Sequence, residues 1–224
     1  MNYAKELAEL ALKIGAIKLS VDKPFTWASG YHMPIYNDNR LLLSQPNARK
    51  LVAEAFRHLL TRDEIEFDLV AGTATAGIPH ATTLADLLGC PLIYVRDKPK
   101  DHGMKNQIEG IAEEKGLEGK RVVVIEDLIS TGGSSVKAVQ AVRQAGGKCN
   151  RCLGIFSYGF KEGRQAFESL EPPCQLLVIL TYTQLLHIAG ENGSLKKEEI
   201  EILKDWSLDP FAWGEKHGFP KVSK

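Results

Sequence analysis

Apolar residues recur along the chain with two periods, and the switches between them mark out the elements. In MNYAKELAELALKIG, Leu7, Leu10, Ala11 and Ile14 share one helical face and Gly15 supplies the stop. A second helix is predicted to begin at Ser44, its N-cap, with Pro46 in the first turn. It carries Leu51, Val52, Ala55, Phe56, Leu59 and Leu60 on one broad face. Beyond it, short continuous apolar runs alternate with helical patterns. Strands are predicted at FDLVAG (67–72), PLIYV (91–95), VVVI (122–125), CLGIF (152–156) and QLLVIL (175–180), and helices at 77–89, 134–145 and 161–170.

This alternation predicts an α/β fold: a mostly parallel central sheet flanked by helices. Such sheets bind ligands beyond the carboxyl ends of their strands, which directs attention to 72–77 (GTATAG), 96–110 (RDKPKDHGMKNQIEG) and 126–135 (EDLISTGGSS). Residues 16–43 break the pattern and predict short strands and turns, a small N-terminal flap or hood over the sheet. Residues 194–206 read as a charged, exposed helix, and the tail from Leu208 shows no regular period. One domain over 1–224 is expected, with helix and hood in 1–43, the α/β core in 44–185, and a C-terminal helix and tail in 186–224.

Composition narrows the partners. The 44% hydrophobic and 25% charged content is ordinary globular material, and 28 basic residues balance 28 acidic ones. No overall field favours nucleic acid or anionic lipid, so any anion site must be local. No run approaches the roughly 18 apolar residues of a membrane span, and the N-terminus lacks a signal-peptide pattern; a cytoplasmic protein is expected. Among the cysteines, Cys149 and Cys152 form a CxxC. On a strand, residues three apart face opposite ways, and no second CxxC or HxxxH completes a metal site, so the pair is read as reduced and structural.

Candidate chemistry concentrates in VVVIEDLISTGGSS (122–135). Two adjacent carboxylates, Glu126 and Asp127, are costly to dehydrate side by side. The following Ser130, Thr131, Gly132, Gly133, Ser134 and Ser135 offer donors and almost no bulk, which suits a phosphate at a helix start. Neither GxxxxGK[ST] nor a strand-borne GxGxxG occurs, so nucleoside triphosphatase and dinucleotide dehydrogenase readings lack support. Carboxylates accept from vicinal sugar hydroxyls, so a ribose 5-phosphate moiety satisfies both halves of the segment.

The segment resembles the phosphoribosyl pyrophosphate (PRPP) signature of the type I phosphoribosyltransferases, with Glu126 where many members have Asp. YVRDKPKDHG (94–103) is similar to the mobile catalytic loop of the orotate phosphoribosyltransferases, and FTWASGYHMPIYNDNR (25–40) to their N-terminal signature. The resemblance spans residue 1 to about 185. It implies Mg²⁺-dependent transfer of ribose 5-phosphate from PRPP to orotate, giving orotidine 5′-monophosphate for UMP synthesis. It also implies a homodimer in which loop 96–110 completes the neighbouring site, with Mg²⁺ held mainly through PRPP rather than by protein side chains.

Carried over by position, Lys100 and Asp127 are the catalytic candidates. PRPP binding falls to Arg96, Lys100, His102, Glu126, Asp127, Leu128, Ile129, Ser130, Thr131, Gly132, Gly133 and Ser134, with both acids expected on the ribose. Backbone donors at Thr75 and Ala76 are the pyrophosphate loop. Orotate is assigned Ser130, with Tyr36 for stacking and Arg40 for charge; Tyr36 reads equally as core and Arg40 as a surface ion pair. Asp97, Ala76, Ala28 and His32 depart from the residues common in well-known members. A purine or xanthine acceptor and a non-enzymatic PRPP-sensing regulator are the alternatives. Residues 25–40 and the RxxxKxHG loop disfavour the first, and the balanced charge disfavours the second.

Overall fold

The computed structural model describes residues 2–98, 107–111 and 116–222. Helix α1 (Tyr3–Lys13) starts where the Asn2 side chain accepts from the Lys5 amide at 3.1 Å, and it buries Leu7, Ala8 and Ala11. The hood follows as two small antiparallel pairs, β1 (Ile17–Leu19) with β4 (Ile35–Asn37) and β2 (Phe25–Thr26) with β3 (His32–Met33). A 3-10 helix, Asn39–Ser44, leads into α2 (Pro46–Arg62). The cap of α2 is Gln45 rather than Ser44. Ser44 closes the 3-10 turn instead, its hydroxyl donating to the Leu41 carbonyl at 2.9 Å.

The α/β core comprises β5 (Leu69–Thr73), α3 (Gly77–Leu88), β6 (Leu92–Val95), β7 (Ile108–Glu109), β8 (Arg121–Ile129), α4 (Gly133–Gln144), β9 (Lys148–Ser157), α5 (Lys161–Glu168) and β10 (Gln175–Thr181). The six-stranded sheet runs β10-β9-β8-β5-β6-β7, parallel except for the β6–β7 pair. Its strands read as unbroken apolar runs because both faces are covered. Val70, Val123 and Ile125 join one buried cluster with α1, α2 and α3, while Leu69, Ala71, Val122 and Val124 join a second with α4 and Phe167 of α5.

Strand β8 runs four residues beyond the predicted VVVI, carrying the ladder through both acids: Glu126 pairs with Gly154 and Leu128 with Phe156. Side chains alternate along a strand, so Glu126 and Asp127 leave the sheet on opposite faces. A bulge in β9 corrects the reading of the CxxC. Arg121 pairs with Lys148 but Val123 with Arg151, one extra residue that brings Cys149 and Cys152 into the same buried cluster, together with Cys174.

The C-terminal region is more ordered than its sequence suggests. Helix α6 (Tyr182–Glu191) is closed by a Thr181/Gln184 capping box, and α7 (Lys197–Leu208) and α8 (Pro210–Lys216) follow. Expected to be an exposed helix, α7 instead buries Leu203 and Trp206 completely. The Trp206 indole donates to the Met33 sulfur at 3.2 Å, and its ring meets Tyr158, Phe160 and Tyr182. The tail beyond Leu208 closes on the hood. Phe211 packs on Tyr31, the Lys221 ammonium lies 4.1 Å over the Tyr31 ring, and the Val222 amide donates to Gly30 at 3.0 Å. Gly30 has φ +85°, and a side chain there would collide with Val222.

Candidate active site

The carboxyl ends of β5, β6 and β8 bring together the three loops singled out from the sequence. At the end of β5, the turn into α3 is tight because two glycines allow it. A Cβ on Gly72 would lie 2.8 Å from the Ile78 Cα, and one on Gly77 would strike the Thr73 hydroxyl and lie 2.5 Å from the Ile125 carbonyl. Thr75 and Ala76 occupy this turn, with Ala76 capping α3 through its backbone alone. The amides that open α3 are thus not taken by a capping side chain.

The turn from β8 into α4 has the same character. Gly132 sits at φ +78° with Phe167 and the Gly163 carbonyl close behind it, and no side chain caps α4. Gly133 faces open space, and Thr131, Gly133 and Ser134 are exposed. A helix start with free amides, flanked by hydroxyls and unobstructed by side chains, presents positive potential to an anion.

The two acids part company here. Glu126 is 6% exposed and points to the α4 face. Its Oε1 accepts from the Thr73 hydroxyl at 2.7 Å and the Asp127 amide at 3.0 Å, and its Oε2 accepts from the Ser135 hydroxyl at 2.9 Å. Asp127 leaves the opposite face, toward the hood. Its carbonyl accepts from the buried Asn39 side chain at 2.6 Å, which ties the hood to the strand end. Burial first, and then the charge of Glu126, push the Asp127 carboxyl up to about 7.

On the hood, Tyr36 is 37% exposed with its ring 5.9 Å from Phe25, so it is neither core nor fully solvated. Arg40 is paired in fork geometry with Asp38, at 2.6 and 2.9 Å, which matches the surface ion-pair reading. The hydrogen bond to Asp38 holds the Arg40 guanidinium above its ordinary range, and the nearby Asp127 carboxyl acts in the same direction. Buried Tyr158, at the end of β9, stacks on Phe160 and meets the Trp27 ring at 5.3 Å, closing an aromatic wall beneath the hood.

Arg96 stands where β6 ends. Its amide donates to the Gln107 carbonyl, the Gln107 side chain donates back to the Arg96 carbonyl, both at 2.9 Å, and its guanidinium lies 3.7 Å from Glu109. The loop is therefore held at its base by β6 and β7. Lys100 and His102 lie outside the described residues. His80, near the start of α3, is 2% exposed, and burial lowers it to about 4.

Thr73, Asn39 and Tyr158 were not singled out from the sequence, and Ser135 was named only as the last donor of its run, with no role of its own. Thr73 and Ser135 stood in view within GTATAG and STGGSS, as hydroxyls bordering the proposed phosphate loops. Asn39 lay inside the quoted YNDNR, but its bond to a residue 88 positions away left no local signal.

The phosphoribosyl transferase domain family matches residues 39–166. The orotate phosphoribosyltransferase of Cutibacterium acnes is 47% identical over 216 residues, 96% of this chain and 97% of that one. That of Listeria monocytogenes is 45% identical over 96% of this chain and its own full length. Among solved structures, orotate phosphoribosyltransferase from Aeropyrum pernix superposes with a TM-score of 0.69 at 28% identity, covering 85% of this chain and 99% of that one. The Mycobacterium tuberculosis orotate phosphoribosyltransferase in complex with PRPP has a TM-score of 0.61 at 26% identity, covering 82% and 98%. With relatives so similar over nearly its full length, the chain belongs to the orotate phosphoribosyltransferase family.

Proposed function

We propose that this protein transfers ribose 5-phosphate from PRPP to orotate, giving orotidine 5′-monophosphate and pyrophosphate on the route to UMP. The observation that carries this reading is the pairing of two uncapped, glycine-opened turns at adjacent strand ends, with the Asp127 carboxyl on the strand that leads into one of them and an aromatic hood opposite. PRPP has a phosphate at each end and a ribose between, and two anion-accepting turns flanked by a carboxyl suit those groups.

In the reaction, a lone pair on orotate N1 forms the bond to the anomeric carbon, and the carbon–oxygen bond pair departs with pyrophosphate. Orotate is already an anion, so catalysis rests on positioning and charge stabilisation rather than on a strong base. Backbone amides and hydroxyls over Ser130–Ser134, with the Leu128 and Ile129 backbone leading in, hold the 5-phosphate. The Asp127 carboxylate offsets cationic character on the ribose ring. Arg96, Lys100 and His102, with amides near Thr75 and Ala76, take up the charge that grows on pyrophosphate, and closure of loop 96–110 excludes water.

Orotate stacks on Tyr36 and touches Ser130. Arg40 reaches its carboxylate by exchanging one carboxylate partner, Asp38, for another, a swap of like for like on an exposed side chain. Mg²⁺ would be held mainly through PRPP rather than by protein side chains, and the oxygen chemistry of Asp127 and the loop hydroxyls fits the neighbourhood of such a hard cation. When bound with PRPP, Mg²⁺ neutralises charge on the pyrophosphate oxygens. The working unit is a homodimer in which loop 96–110 reaches into the partner's site, and no nucleic acid or membrane is involved. Among the described residues, no helix is long and apolar enough to cross a membrane.

Chromatography of a mixture of protein, PRPP, Mg²⁺ and orotate tests the reading. Orotidine 5′-monophosphate and pyrophosphate are expected in equal amounts, and their absence with active PRPP present contradicts it.

A further inference from the structure

Glu126 is built into the protein in a way a ribose ligand is not. Both of its oxygens are engaged, by donors from three separate places: Thr73 at the entry to the β5–α3 turn, the Asp127 amide on β8, and Ser135 in the first turn of α4. The contacts are short and the group is nearly sealed from solvent. Reaching a ligand from this position would cost a buried carboxylate all of its donors.

The surroundings leave Thr73 little freedom. Gly77 packs against its hydroxyl so closely that no side chain fits, and the same hydroxyl lies 3.1 Å from the Ile125 carbonyl. Ser135 is 1% exposed. One carboxylate thus fixes the start of each of the two turns relative to the other, and networks of this kind are stiff when every member is satisfied.

We propose that Glu126 is a positioning residue that sets the pyrophosphate loop and the 5-phosphate loop at a fixed separation through Thr73 and Ser135, leaving Asp127 as the acid that meets the ribose. This rests on the reading of 72–77 and 130–135 as the two phosphate loops of a PRPP site. Its distinguishing consequence is that loss of Glu126 weakens binding of a ligand that carries no ribose.

Calorimetric titration of magnesium pyrophosphate, and separately of ribose 5-phosphate, into the full chain tests this in wild type, E126A, E126Q, T73V and E126A/T73V. E126A and T73V are each expected to weaken pyrophosphate by about tenfold or more, with the double variant no weaker than E126A, as members of one network behave. E126Q is expected within about threefold of wild type, because its amide oxygen keeps the Thr73 and Asp127 bonds and its NH₂ donates to the Ser135 hydroxyl. In turnover, T73V is expected to raise KM for PRPP more than it lowers kcat. Wild-type pyrophosphate affinity in E126A, with ribose 5-phosphate binding lost, would overturn the proposal and make Glu126 a ribose ligand. Should E126A not fold, near-isosteric T73V decides: pyrophosphate affinity equal to wild type overturns the proposal. If wild type itself binds neither ligand, the two-loop reading beneath it falls first.

Discussion

Asp127 and His80 respond to pH in overlapping windows with opposite consequences for stability. The Asp127 carboxyl rises from 3.8 to about 7 on folding, so the fold holds a proton that the unfolded chain releases. That contribution is fully present below about pH 4 and is lost as pH rises through 7. His80 falls from 6.5 to about 4, so the unfolded chain takes a proton that the fold refuses, and stability is lost as pH falls from 6.5 to 4. Relative to wild type, D127N should therefore gain Tm progressively from pH 4 to 7, and H80L should gain as pH falls from 6.5 to 4. Each difference is a few kcal/mol at most, or several degrees for a chain of this size. Melting curves across that range check both signs, and pH-independent differences would show that neither group titrates as described. For chemistry, K100A should lower kcat by roughly a hundredfold or more, with a smaller change in PRPP affinity. Steady-state kinetics with the isolated variant measure the split; unchanged turnover removes Lys100 from its role.

Trp206 carries much of the packing between the C-terminal helices and the hood. It is fully buried, contacts Tyr158, Phe160 and Tyr182, and its ring meets Trp27 edge-on at 6.5 Å. Replacing it with Ala should cost roughly 3–5 kcal/mol, read from denaturant midpoints. Ending the chain at Leu208 removes Phe211, Trp213 and the Val222 bond to Gly30, so the β2–β3 hairpin should become a site of rapid limited proteolysis within 20–33. Cleavage there at the wild-type rate would mean the tail does not brace the hood.

These elements also show how far pattern carries. The parallel strands and α2–α5 were legible because burial on two faces gives continuous apolar runs, and one-faced burial gives a helical stripe. In α7 only Leu203 and Trp206 are fully buried, three apart within KKEEIEILKDW, and the surrounding charge hides the stripe. Helix α8 has seven residues, too few to display a period. The bulge in β9 depends on pairing with β8 and left no trace in KCNRC. The candidate site divides in the same way. Its loops were readable as composition, but Glu126 and Asp127 were expected to act together because the strand was expected to end before them. The ladder continues, and a period of two sends them apart.

At the scale of the whole molecule, balanced charge leaves recognition to local groups, and the site as proposed is shared between two subunits. If Lys100 serves the neighbouring site, co-expressed K100A and D127N subunits should form hybrids in which one of two sites is intact, recovering about a quarter of wild-type activity from two nearly inactive parents. Activity no greater than the mean of the parents would mean each site is complete within one chain. The acceptor is where the account is most exposed, because PRPP is read from one segment and orotate from two others, 25–40 and 94–103. The most direct measurement follows consumption of orotate, uracil, hypoxanthine and adenine separately, with PRPP and Mg²⁺ present. The account predicts that orotate alone disappears, matched by pyrophosphate release; turnover of another base while orotate persists would contradict it.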